Sequence, residues 1–158
     1  MSLKIKILAM GKPKMSYLAE GISDYLQRMQ HYARVALVEI REPAKPQKMD
    51  DEKVMRLEAE KFFPHLKNTD YIVALDRAGE RLDSVALADF LQNCMNHNRN
   101  PVVFIIGGEL GLDKTLLKRA DRVLSLSDLT FTHDMTRLIL TEQLYRAFSI
   151  LAGQKYHK

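Results

Sequence analysis

His133 and Arg137 stand four residues apart near the start of a long helical pattern, so they share one helical face. The N-terminal end of a helix carries a partial positive charge and suits anions. An imidazole there can accept a proton, and a guanidinium can bind a phosphate or a carbonyl. The plainer role for each is a cap or an ion pair. Just upstream, Ser127, Asp128 and Thr130 supply hydroxyls and a carboxylate, with Leu129 and Phe131 between them. That alternation suits a ligand with an aromatic ring and polar edges. Thr132 or Asp134 is placed to cap the helix. Glu142 and Arg146 form an i,i+4 pair further along, and the chain closes on Tyr156, His157 and Lys158.

Two more turns stand at the ends of apolar runs. One is Leu75 with Asp76; the other is Ile106 with Gly107 and Gly108. Taken alone, the glycines require only a tight turn. No G-x-G-x-x-G follows the first strand and no G-x-x-x-x-G-K-[ST] occurs, so nothing here argues for a dinucleotide or ATP. In open α/β sheets, ligands bind beyond the carboxyl ends of the strands. Adjacent strands would set these two turns beside the loop after Leu126.

The positioning elements follow from periodicity. Leu3, Ile5, Ile7 and Ala9 alternate with Lys4 and Lys6, a strand that Gly11 and Pro13 end. Leu18, Ile22, Tyr25, Leu26 and Met29 recur at three and four, a helical face. Further strands are expected at 35–40, 71–75, 102–106 and 122–126, and further helices from about 50, 84 and 113. A polar loop is expected at 76–80, with Gly79 for the turn, and another at Pro43, Ala44, Lys45 and Pro46. The alternation predicts an α/β fold: a mostly parallel five- to six-stranded sheet with helices on both faces, in one domain spanning 1–158. The last helix, about 134 to 151, is apolar on two sides. Leu140, Leu144 and Leu151 line one side, and Met135, Ile139 and Ile150 lie roughly opposite. Its own sheet covers one side; a partner chain over the other predicts a homodimer.

The 158 residues are 46% apolar and 28% charged, as in an ordinary globular protein with a real core. A formal charge of +4 leans only mildly toward polyanions. Cys94 is the single cysteine, which excludes an intrachain disulfide and a multi-cysteine zinc site. It follows Leu87 and Leu91 at helical spacing and reads as a buried small apolar residue. No basic-then-apolar leader and no membrane-length apolar run is present, so a cytoplasmic protein is expected.

These motifs together resemble the RlmH family of small SPOUT methyltransferases. The resemblance runs over essentially the whole chain. Its most specific part is the C-terminal set Leu129-Thr130-Phe131-Thr132-His133, Arg137, Glu142-Gln143-Leu144-Tyr145-Arg146-Ala147 and Tyr156-His157-Lys158. It implies a trefoil knot at the C-terminus and S-adenosylmethionine held at Leu75, Gly107, Leu126, Ser127, Asp128, Leu129, Thr130 and Phe131. It implies an obligate homodimer whose active site uses both chains, no metal, and methylation of N3 of a pseudouridine in 23S ribosomal RNA within the assembled ribosome. The family pattern carries a basic or small residue in place of Asp128 and a proline in place of Thr132. Catalytic candidates are His133, Tyr156 and His157 for handling the N3 proton, and Arg137 for a phosphate or uracil carbonyl. Lys12, Lys14, Lys155 and Lys158 are candidates for a phosphate-contacting rim. The rival expectation is a non-catalytic ribosome-associated factor that keeps the fold.

Overall fold

The computed structural model describes residues 2–44 and 47–157. Lys45 and Pro46 of the expected loop, and Lys158 of the tail, lie outside the described residues. The chain alternates strand and helix as β1 (Lys4–Met10), α1 (Ser16–Met29), β2 (Arg34–Ile40), α2 (Asp51–Phe62), β3 (Tyr71–Arg81), α3 (Ser84–Asn96), β4 (Val102–Ile106), α4 (Lys114–Arg119), β5 (Arg122–Ser125) and α5 (His133–Leu151). A 3-10 turn, Phe63–His65, follows α2.

All five strands are parallel, in the order β2-β1-β4-β3-β5. β4 is central, and each of its five residues is buried, as a strand covered on both faces requires. The two faces read directly from the alternation of β1. Ile5, Ile7 and Ala9 join the core under α3 and α5, together with Leu87, Leu91, Cys94, Leu140, Leu144 and Phe148. Leu8 and Met10 join the opposite core, with Ala59 and Phe62 of α2 and Leu116 of α4. Cys94 is buried as expected, and desolvation pushes its thiol above the ordinary range.

Four of the five described α-helices, all but α1, start on a side-chain cap. Asp50 accepts from Glu52 N at 2.9 Å, Asp83 from Ala86 N at 2.7 Å, Asp113 from Thr115 N at 3.0 Å and Thr132 from Met135 N at 3.2 Å. Each cap contributes about 1 kcal/mol. Of the two candidates at α5, Thr132 is the cap; Asp134 bonds elsewhere.

One expectation fails. Residues 76–80 do not form a free loop: β3 continues to Arg81. Leu75 and Glu80 both pair with Leu124, and residues 76–79 bulge out between them. Arg122 clamps Glu80 with two hydrogen bonds of 2.9 Å. Tertiary pairing with β5 thus overrides the local turn chemistry. Gly79 is there for closeness: a Cβ on it would lie 2.7 Å from the Leu124 carbonyl carbon. Among the described residues, no helix is long and apolar enough to cross a membrane.

Candidate active site

Because the strands are parallel, the carboxyl ends of β1, β3, β4 and β5 meet at one edge. There they enclose a cleft of about 980 Å³. Leu75, Asp76 and Arg77 reach it from β3, residues 106–111 from β4, and residues 125–127 and 129–136 from the connection into α5. The three turns distant in sequence do converge, since β4, β3 and β5 are neighbours.

Each turn is held in shape by its own short contacts. After β4, Gly111 takes φ +84 and donates its N–H to the Gly108 carbonyl at 3.1 Å. Gly107 packs so tightly under this turn that a Cβ would lie 2.6 Å from Gly111 main-chain atoms. Gly107, flagged with Gly108 as a turn former, therefore also serves close backbone approach. After β5, Ser125 Oγ donates to the Ser127 carbonyl at 3.0 Å, and Ser127 Oγ accepts from Leu129 N at 3.0 Å. The bulge of β3 reaches across to tie this loop down. Arg77 donates to Thr130 Oγ1 at 2.7 Å, and Arg81 meets Asp128 at 2.7 Å.

Seven of the eight expected cofactor residues line the cleft: Leu75, Gly107, Leu126, Ser127, Leu129, Thr130 and Phe131. Asp128 does not; its carboxylate is turned to Arg81. Four large apolar side chains stand exposed around the mouth: Met15, Tyr17, Leu110 and Leu129, with Tyr17 66% and Leu129 71% accessible. Met15, Tyr17 and Leu18, which follow β1, were not anticipated. The break at Gly11 and Pro13 marked a strand end in the sequence, but only the strand order brings it beside β4.

His133 lines the cleft, with Nε2 3.5 Å from Asp134 Oδ1. Asp134 accepts from Lys14 N at 2.9 Å, which fastens the start of α5 to the loop after β1. Arg137 lies beneath, 1% accessible, and donates to the Met10 carbonyl at 2.5 Å and the Gly11 carbonyl at 2.9 Å. Burial pulls its basicity down, against the opposing effect of Asp134, Glu39 and Glu42. In this chain Arg137 therefore binds the end of β1. Lys14 is exposed near Glu109, at 3.9 Å.

The tail lies elsewhere. Tyr156 and His157 rest on α5 around Glu142 and Arg146, about 14 Å and about 20 Å along the helix from His133. Tyr156 donates to Glu142 at 3.2 Å and sits edge-on to Tyr145 at 4.8 Å. Burial, with Tyr25 and Glu142 beside it, pushes the Tyr156 phenol far above its ordinary value. One chain thus brings together His133 and the cleft, with Arg137 under them, and holds Tyr156 and His157 apart.

Comparison with known proteins places this arrangement. A family described as "Predicted SPOUT methyltransferase" matches residues 3–157. The chain is 42% identical over 159 residues to a protein of Acetivibrio thermocellus named ribosomal RNA large subunit methyltransferase H, covering 99% of this chain and 100% of that one. It is 44% identical over 156 residues, with the same coverage, to the protein of that name from Desulfotalea psychrophila. Among solved structures, a probable methyltransferase from Bordetella pertussis superposes with a TM-score of 0.57 at 12% identity, covering 91% of this chain and 95% of that one. A probable methylase family protein from Haemophilus influenzae gives 0.52 at 13%, covering 99% and 70%. Those two show the fold alone. The family match and the close relatives, spanning the whole chain, establish that it belongs to the SPOUT methyltransferases.

Proposed function

We propose that this protein methylates N3 of a pseudouridine in 23S ribosomal RNA within the assembled ribosome, as a homodimer, with S-adenosylmethionine as donor. The observation that carries the reading is the convergence of three strand ends on one cleft, where apolar side chains and glycine-containing main chain stand among polar and charged groups. A purine and ribose fit such walls: Leu75, Ile106 and Leu126 supply apolar faces, while residues 107–111, 125–127 and 129–131 bring main chain with its donors and acceptors. When bound, the cofactor supplies a methyl group on a sulfonium whose charge is lost on transfer.

The chain's own residues must do the rest. The N3–H of the base lies between two carbonyls and is weakly acidic, so its proton has to be shared or removed during transfer. Tyr156 is held as a protonated phenol that donates to Glu142, which suits a hydrogen-bond donor and not a base. That leaves the imidazole of His133 to accept the proton, with His157, whose Nδ1 faces Arg146, presenting its Nε2–H as a donor beside it. Since the tail is far from the cleft of its own chain, the tail of the partner is the one to complete it. The exposed apolar rim of Met15, Tyr17, Leu110 and Leu129 supports a covered, water-poor mouth in the assembly.

The test is label transfer from methyl-labelled cofactor to ribosomes from cells lacking the activity, followed by mass mapping. Label on a large-subunit pseudouridine is expected. No transfer, or transfer to another base, rejects the reading; equal rates on naked RNA fragments reject the assembled ribosome as substrate.

A further inference from the structure

We infer that Glu142 is a positioning residue for the proposed methyl transfer: it anchors the C-terminal tail, so that Tyr156 and His157 enter the partner's cleft as one preformed unit. The inference rests on the function proposed above and adds to it the group that holds those two side chains in place.

A surface Glu–Arg pair at i,i+4 needs only its two members and contributes roughly 0.3–0.5 kcal/mol. Glu142 does much more. Its Oε1 accepts from Arg146 Nη2 at 2.6 Å, from Arg146 Nε at 3.0 Å and from the Tyr156 hydroxyl at 3.2 Å. Its Oε2 accepts from Gln143 Nε2 at 2.7 Å, and Gln143 Oε1 accepts from Ser84 Oγ at 2.6 Å, at the start of α3. On the other side, the hydroxyls of Tyr25 and Tyr156 are 3.3 Å apart. Tyr156 gives its one proton to Glu142, so Tyr25 donates to Tyr156. The carboxylate thus sits at the middle of a bridge from α3 through α5 and the tail to α1.

Arg146 extends the same control to His157. Its guanidinium lies 4.8 Å from the centre of the Tyr156 ring, and Nη1 lies 3.4 Å from His157 Nδ1. A guanidinium only donates, so Nδ1 accepts and the imidazole proton sits on Nε2. The chain is turned back to reach this place by Gly153, at φ +69, with Gln154 N bonded to the Ser149 carbonyl at 2.9 Å. Tyr32 then holds Gln154 Oε1 at 2.6 Å.

The physical consequence is preorganisation. Fixing a free backbone costs about 1–2 kcal/mol per residue, and a tail ordered on folding does not incur that cost in the catalytic complex. The contacts through a carboxylate and a guanidinium are charge-assisted, the strong kind of hydrogen bond.

The experiment compares wild type, Glu142→Gln and Glu142→Ala in the full-length protein. Tyrosine rings carry selective labels, and cross-relaxation between the Tyr145 and Tyr156 rings reports whether the tail is docked. In Glu142→Ala that signal is expected to vanish, and kcat on ribosomes to fall on the order of 100-fold, with cofactor affinity within about twofold of wild type. Glu142→Gln, which keeps an acceptor for Tyr156 but loses the charge for Arg146, is expected to fall between; it is the variant to read if the alanine protein does not fold. A docked tail in Glu142→Ala, or an unchanged kcat, overturns the inference. Should wild type transfer no methyl group, the proposed function fails, while the ring signal still decides whether Glu142 holds the tail.

Discussion

Gly79 lies against the main chain of Leu124 with no space between them: a Cβ would stand 2.7 Å from one carbonyl carbon and 2.8 Å from the carbonyl group of Val123. These are backbone atoms of a paired strand, so they cannot swing aside as a side-chain tip would. Gly79→Ala is therefore expected to destabilise the fold by about 2–3 kcal/mol, the upper range for overpacking. The bulge also carries Arg77, which holds Thr130. Cofactor affinity should fall with stability, checked by thermal melts and calorimetry on the same preparation. An alanine protein as stable as wild type would mean that the bulge is loosely held.

Arg137 is the second place where a residue with a chemical look serves the scaffold. Its guanidinium satisfies the carbonyls of Met10 and Gly11 from a fully buried position. Arg137→Met leaves those carbonyls and Asp134 without the cation, and breaking a buried charge network in this way costs about 3–5 kcal/mol. Arg137→Lys keeps the charge but cannot make the two-pronged contact, so an intermediate loss is expected. Urea denaturation distinguishes this from a purely substrate-binding Arg137, whose replacement would reduce turnover at unchanged stability.

Much of this was legible in the chain because periodicity reports burial directly. The two faces of β1, the all-buried β4, a cap at the start of α5 and the Glu142–Arg146 pair each follow from residue type and local spacing. The bulge at 76–79 did not, since its residues favour a turn and only β5, more than 40 positions on, makes them strand. The same holds for Arg137, whose partners Met10 and Gly11 lie 126 to 127 positions away, and for Asp128, which Arg81 draws off the cleft. Met15 and Tyr17 went unseen for want of strand order, which puts β1 beside β4.

Tyr156 gives a pH dependence. Its phenol is pushed well above the usual range, chiefly by burial and then by Tyr25 and Glu142. A folded-state pKa raised above the unfolded one means that the native protein holds the proton more tightly. The stabilisation is complete below about pH 10, where the unfolded phenol is also protonated, and is lost as pH rises through the folded value. Alkaline titration should therefore show Tyr156 ionising later than a free tyrosine, with the tail leaving Tyr145 as it does. Ring-carbon chemical shifts follow both events. Ionisation near pH 10 with the tail still docked would contradict the hydrogen-bonded geometry.

The separation of His133 from His157 permits a direct test of the two-chain site. His133→Ala and His157→Ala are each expected to lose most activity as pure dimers. In a mixed dimer, the cleft that keeps His133 belongs to the chain that has lost His157, and it faces the tail that retains His157. One intact site per mixed dimer results, and random reassortment should restore about a quarter of wild-type turnover. If each site were built within one chain, both sites of the mixed dimer would carry a defect and nothing would return. The measurement is label transfer after unfolding and refolding the two variants together, against each refolded alone. Recovery ties the tail that Glu142 anchors to the partner's cleft; no recovery, from refolded dimers that bind cofactor normally, rejects a site shared between chains.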